Sequence, residues 1–266
     1  MGTTNNYKNI KVQEEGRLTI IYLDNPPQNL INTNIASSIK EVCLQLSEED
    51  TCDVMILASD KDTDFSQGTD PMLFTELENT TNIKEVQQVI DTYRVANSIS
   101  SLRFPVISAL GGHCYGQGLE IALASDIRLG STGSKFKMDQ VSQGIIPWDG
   151  GTQRLSRTIG LAQSLELILN CQEIESSEAL SIGLLNSVAE TNDLLPKAVE
   201  LAEQILQGGA IAARYAKEVV LKGTEMTLDQ GISLETDLTM ILQTTQDRAE
   251  GINSFIERRK PNYKGE

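Results

Sequence analysis

Histidine is nearly missing from this 266-residue chain, in which His113 is the single example. That scarcity excludes an HExxH zinc site and any paired-histidine metal site, and leaves a Ser-His-Asp triad only if this one residue supplies it. No GxSxG elbow accompanies it, and His113 is read as a satisfied structural residue. The four cysteines, Cys43, Cys52, Cys114 and Cys171, form no CxxC pair and sit in apolar stretches, as small buried hydrophobes of a reduced compartment do. Basic residues are outnumbered 22 to 37, giving a formal charge of -15. Nucleic acid is thereby excluded as an expected partner, because affinity for phosphate backbones comes from clustered Lys and Arg. An anionic ligand would need a local basic patch against this background. No apolar run is long enough to span a bilayer. The start, MGTTNNYKNI, lacks the apolar stretch of a secretory leader, and Asn6 stands where a myristoylation signal has Ser or Thr. A cytoplasmic protein with no membrane partner is expected.

What is present describes an ordinary globular chain, long enough to bury one substantial core with a helical extension. No internal repeat is visible. Residues 17–23 (RLTIIYL) read as a strand ended by Asn-Pro-Pro, and Ile35, Ile39, Val42 and Leu46 recur at helical spacing. Residues 54–57 form a short continuous apolar run, the pattern of a strand covered on both faces. The text from Asp60 to Thr81 is polar and broken, after which Ile83, Val86, Ile90 and Tyr93 mark another amphipathic helix. Residues 106–110 read as a buried strand, GGHCYGQG as a loop, LEIALA as the start of a helix and 127–129 as a further strand. This alternation predicts a layered α/β core with parallel pairing. Beyond about residue 150 the periodicity is helical, over 151–170, 193–207, 210–222, 227–243 and 246–258. The expected division is an α/β core over 1–195 and a C-terminal helical region over 196–266.

The segment ALGGHCYGQGLEIALASD carries the strongest chemical signal. Glycines directly after a strand let a ligand approach bare backbone, and a new helix aims its first amides at it. Gly116 and Gly118 lack the third glycine of a dinucleotide fingerprint. The earlier loop DFSQGTDP also follows a strand and carries a glycine, so one amide from each loop can converge on a single oxygen. Two such donors make an oxyanion hole.

Together with IIPWDGGTQRLSRTIG, these segments, in this order and at these intervals, resemble the enoyl-CoA hydratase/isomerase family, also called the crotonase family. TTQDRAEGINSFIERRKPNY resembles that family's ending, so the likeness covers nearly the whole chain. The resemblance implies a core of repeated ββα turns, a C-terminal helical subdomain that builds trimers or hexamers, and an acyl-CoA thioester substrate. It implies no metal or redox cofactor, coenzyme A being part of the substrate. By matching positions the oxyanion amides belong to Thr69 and Gln117, with Ser66, Gln67, Gly68, Asp70, Gly116, Gln140 and Trp148 lining the substrate site. Most relatives have glycine where Gln117 stands, so the chain carries an extra side chain there.

Glu120 matches one of the two catalytic glutamates of the family's hydratases, and burial would raise its pKa toward neutrality. Read from its place alone, it equally suits a helix-start carboxylate complementing the dipole. The second glutamate is replaced: the chain reads FKMDQ, with Gln140 at the matching position. Gln140 can orient water or a carbonyl but cannot exchange a proton. Its neighbour Asp139, taken as part of an extended segment, would point to the opposite face. Asp149 in PWDGGTQR is the candidate replacement carboxylate, with the plainer reading that it caps a helix beginning at Gly150. Trp148 beside it suits either core packing or the wall of a pocket for a planar acyl group. The leading expectation is a lyase adding water to an α,β-unsaturated acyl-CoA. A double-bond isomerase, a hydratase for cyclic dienoyl thioesters of aromatic degradation, and a non-catalytic acyl-CoA-binding or assembly protein stand as alternatives.

Overall fold

The computed structural model describes residues 4–60, 62–78, 80 and 82–266. Residues 1–3, at the head of the segment expected to lack a leader, lie outside the described residues. The chain opens with two antiparallel strands, β1 (Thr4–Tyr7) and β2 (Ile10–Glu15), ahead of the expected strand β3 (Leu18–Leu23). In β2 only Ile10 and Val12 are fully buried, and the other four residues are polar, so the run carries too little apolar alternation to mark a strand. Helix α1 (Thr33–Glu49) starts where Asn32 accepts the Ile35 amide at 2.9 Å, and it buries Ile35, Ile39, Val42 and Leu46. Strand β4 (Val54–Ser59) then pairs parallel to β3.

Helix α2 (Met72–Glu78) interrupts the stretch read as irregular, followed by α3 (Ile83–Tyr93) and α4 (Ala96–Ser100). Strand β5 (Val106–Leu110) leads into β6 (His113–Tyr115), which lies inside the segment expected to be all loop. Helix α5 (Gln117–Ala122), β7 (Ile127–Ser131) and β8 (Lys135–Lys137) follow. The helical stretch expected over 151–170 is two helices, α6 (Gly151–Ile159) and α7 (Leu161–Asn170), broken at Gly160, where φ is +81°. Next come β9 (Glu173–Glu175), α8 (Ser176–Ser181), β10 (Ser187–Ala189) and α9 (Leu194–Leu206).

The described residues form a seven-stranded sheet, β1-β2-β3-β4-β5-β7-β10, parallel from β3 onward, and a three-stranded sheet, β6-β8-β9. Strands β4 and β5 are apolar without alternation because both faces are covered. Met55 and Leu57 join α1 and α5 in one cluster, and Ile56 and Ala58 meet α9 in the other. Leu194, Ala198 and Ala202 of α9 are buried there, so the boundary expected at 195/196 cuts a core helix. After α9 come α10 (Ala210–Gly223), α11 (Leu228–Leu242) and α12 (Gln246–Glu257). Neither α10 nor α11 buries a residue within the chain. Helix α10 is tied to the core by Arg214 to Asp53 at 2.8 Å and by Lys217 to Asp126 at 2.7 Å. Among the described residues no helix is long and apolar enough to cross a membrane.

Candidate active site

The loop after β4 returns beside β6. The Phe65 amide donates to Gly111 O at 2.8 Å, the Ser66 amide to His113 O at 3.1 Å, and the Tyr115 amide to Ser66 O at 2.9 Å. Further along, Ile31 donates to Gly68 O at 2.8 Å and receives the Asp70 amide at 3.0 Å. Thr69 is thus held between two anchored neighbours, while its own amide has no acceptor among the described residues. Gln117 opens α5, where first-turn amides lack intrahelical partners, and its amide is likewise without an acceptor. The segments adjoin: a Cβ placed on Gly68 would lie 3.8 Å from Gln117 N. Gly118 makes the approach possible, since a Cβ there would meet Ser66 Cβ and Ser66 O at 2.7 Å each.

One turn into α5, Glu120 is fully buried. Its Oε1 accepts the Asp149 and Gly151 amides at 2.8 Å each, and its Oε2 accepts Gln140 Nε2 at 2.9 Å. A Cβ on Gly151 would sit 2.9 Å from that Oε1, so glycine is what lets the α6 terminus close on the carboxylate. Burial pushes the Glu120 carboxyl up to about 7, opposed by the Gly151 and Asp149 amides and reinforced by the charge of Asp149. A carboxyl so placed can both take and return a proton near neutral pH. Gln140 Oε1 is buried with no hydrogen-bond partner among the described residues, an acceptor aimed from the residue that touches Glu120.

Asp149 is buried but does not cap the helix it precedes; Gly150 occupies that place. Its Oδ2 accepts the Val95 amide at 2.9 Å, the Ala96 amide at 3.2 Å and Gln117 Nε2 at 3.1 Å, with Oδ1 at 3.3 Å from the Ala96 amide. It therefore anchors the start of α4, and its engaged oxygens are those of an anchor. Burial raises its pKa, against the Val95 amide, Gln117 and the Ala96 amide. The Gln117 side chain does not project into open space either. It bonds Thr69, Tyr93 O and Asp149.

Gly116 connects β6 to α5, with its amide on Lys137 O at 2.9 Å. Ser66 Oγ accepts the Gly68 amide at 3.1 Å, Gln67 Nε2 donates to Asp64 at 2.6 Å, and Asp70 Oδ1 accepts the Met72 amide at 3.0 Å. These three shape the loop carrying Thr69. Trp148 is half-buried, its carbonyl accepting from Arg94 at 3.1 Å. His113 is paired with Asp64, Nδ1 to Oδ1 at 2.7 Å. Asp139 does not follow the alternation expected of an extended segment: at φ -101° and ψ 0° it starts a 3-10 turn over Gln140–Gln143. Its Oδ1 consequently lies 2.8 Å from where a Cβ on Gly116 would be, close to Gln140. The donors from Val95, Ala96 and Gly151 are main-chain groups, for which sequence offers no signal.

The chain matches the family described as enoyl-CoA hydratase/isomerase over residues 13–266. It is 30% identical over 258 residues to a crotonyl-CoA hydratase of Syntrophomonas wolfei, covering 97% of this chain and 98% of that one. It is 30% identical over 253 residues to a short-chain-enoyl-CoA hydratase of Clostridium acetobutylicum, covering 95% and 96% respectively. The crystal structure of an enoyl-CoA hydratase from Bacillus anthracis superposes with a TM-score of 0.91 at 32% identity, covering 97% of this chain and all of that one.

Proposed function

The chain belongs to the enoyl-CoA hydratase/isomerase family, and from that premise we propose that it reversibly adds water to a short α,β-unsaturated acyl-CoA thioester. The observation that carries this reading is Glu120: a carboxyl buried against two main-chain amides, poised near neutrality, one helical turn from the Gln117 amide. The names of the similar crotonyl-CoA and short-chain-enoyl-CoA hydratases support a small acyl group.

In this mechanism the thioester oxygen accepts from the Thr69 and Gln117 amides, which draws electron density from the β-carbon. A water donates one hydrogen to Glu120 Oε2 and the other to Gln140 Oε1. Glu120 takes its proton as the hydroxyl bonds to the β-carbon, and the displaced π electrons become an enolate on the thioester oxygen. The enolate then collapses as Glu120 returns the proton to the α-carbon, so one carboxylate serves as base and then acid. No metal or redox cofactor has a part, and Asp149 acts as a positioning residue through Gln117 and Glu120. Ser66, Gln67, Gly68, Asp70 and Gly116 shape the carbonyl site, and Trp148 lines its approach. The bare faces of α10 and α11, with exposed Leu228, Ile232 and Met240, fit contacts with further copies in a cytoplasmic trimer or hexamer.

A second reading, double-bond isomerisation, fits the same geometry, since moving a proton between carbons also needs one carboxylate and Asp149 is engaged elsewhere. A panel of enoyl-CoA thioesters, read by loss of conjugated absorbance in oxygen-labelled water, separates the possibilities. Hydration places solvent oxygen in the product. Hydrogen exchange without labelled oxygen selects the isomerase, and binding without turnover of any member sinks both in favour of a non-catalytic binding protein.

A further inference from the structure

Any residue but proline at position 117 would supply a main-chain amide, so the Gln117 side chain needs a separate account. It is 1% exposed and its hydrogen-bonding capacity is directed inward. Oε1 accepts the Thr69 hydroxyl at 2.9 Å, and Nε2 donates to Tyr93 O at 2.7 Å and to Asp149 Oδ2 at 3.1 Å. Both Nε2 hydrogens are thereby engaged, and the group faces protein partners rather than a ligand.

Its partners are unrelated in sequence but adjacent in chemistry. Thr69 and Gln117 are the residues whose free amides flank the carbonyl position, and their side chains bond each other across the two loops. Asp149 receives the Gln117 amide group with its carboxylate and holds Glu120 Oε1 with its own N-H at 2.8 Å. Glu120 in turn binds Gln140 at 2.9 Å. Thr69, at the half-buried end, and the buried Gln117, Asp149, Glu120 and Gln140 thus form one chain of hydrogen bonds. Hydrogen bonds in a low-dielectric interior reinforce one another, so the loss of one link is felt by the others.

We propose that the Gln117 carboxamide is a positioning residue that locks the two amide-bearing loops together and couples them, through Asp149, to the Glu120 carboxylate. Carbonyl polarisation and proton transfer are therefore set by one shared polar chain. This rests on the reading of the Thr69 and Gln117 amides as the carbonyl site. Glutamine is long enough to reach Tyr93 O and Asp149 from the first turn of α5 while presenting an acceptor to Thr69. Loss of the carboxamide leaves both amides in the chain but frees the Thr69 loop to shift. Thr69→Val removes the Thr69–Gln117 bond from the other side, so that bond is common to the two changes.

The test compares the full-length wild type, Gln117→Ala, Thr69→Val and the double variant in hydration of crotonyl-CoA. A second readout is the red shift of bound cinnamoyl-CoA, a chromophoric thioester whose absorbance follows polarisation of its carbonyl. Each single variant is expected to lower kcat by about tenfold or more, with a smaller change in KM, and to shrink the red shift. The double variant should be within about threefold of the worse single, as members of one network are not additive. Gln117→Glu supplies rescue with a signature: only the protonated acid can donate to Tyr93 O or Asp149, so its activity relative to wild type should be greater at about pH 6 than at about pH 8. Single variants that keep wild-type kcat and red shift, or losses that multiply in the double, would overturn the proposal. Should Gln117→Ala fail to fold, the red shift of Thr69→Val decides. The two levels fail separately: a wild type inert on every enoyl-CoA removes the underlying reading, whereas an active wild type, an inactive Glu120→Gln and an unaffected Thr69→Val remove only this inference.

Discussion

Replacing Glu120 by Gln should abolish hydration and stabilise the fold in alkaline solution, and both effects follow from the same burial. The amide is nearly isosteric with the carboxyl. Its Oε1 can keep the Asp149 and Gly151 amides, and its Nε2 can face Gln140 once that carboxamide turns to offer Oε1, the atom that lacks a partner. The architecture is therefore retained while proton transfer is lost, a fall in kcat of about a hundred- to ten-thousandfold. The stability effect comes from the carboxyl being raised from 4.5 to about 7 by burial. Between those values the folded chain holds a proton that the unfolded chain has released. The stability this provides is complete below the unfolded value and disappears as pH rises through the folded one. Above pH 7 the wild type thus carries a buried charge that Glu120→Gln does not, a difference of about 3 kcal/mol at 1.4 kcal/mol per pH unit. Urea unfolding of both proteins at successive pH values isolates this group, because the other carboxylates cancel in the difference. An offset that stays constant across the range would refute the burial argument, and hydration within about tenfold of wild type would refute the proton-transfer role.

The same carboxyl sets the pH profile. Because the base form must be ionised to accept the water proton, hydration kcat/KM should climb as pH passes through about 7, and a flat profile from acid to alkaline conditions would exclude Glu120 as the base. Asp149→Asn sets an amide donor against Gln117 Nε2 or the α4 amides, so unfolding free energy should fall by about 1–3 kcal/mol and kcat by about tenfold. A loss of several hundredfold in kcat at unchanged stability would instead make Asp149 a proton-transfer group. Gly118→Ala forces a methyl into Ser66, main chain included, and should destabilise by about 1–3 kcal/mol while parting the two loops, measured by denaturant midpoint and kcat together.

Much of this molecule was legible in one dimension, and the reason is periodicity. The apolar runs of β3, β4 and β5 and the spacing of Ile35, Ile39, Val42 and Leu46 are local consequences of which faces are covered, so pattern and structure coincide there. The segments holding Thr69, Gln117 and Glu120 were equally recognisable, because close backbone approach demands glycine at positions such as Gly118. Strands β6, β8 and β9, at three residues each, are too short to display any period. Asp139 was read on extended backbone, where alternation holds, but a 3-10 turn begins there instead. Asp149 was read as a candidate replacement carboxylate or a cap of the helix after it, and its actual partners could not be foreseen: Val95 and Ala96 lie more than fifty positions upstream.

The amino-acid order by itself determined the longer strands and helices, the family and the candidate carboxylates, since each is written in residue kind and spacing. Only the tertiary structure decided that the Gln117 side chain turns inward, that Asp149 anchors α4, and that Glu120 titrates near neutrality. Those properties depend on distance and dielectric between groups that the chain separates and folding brings together.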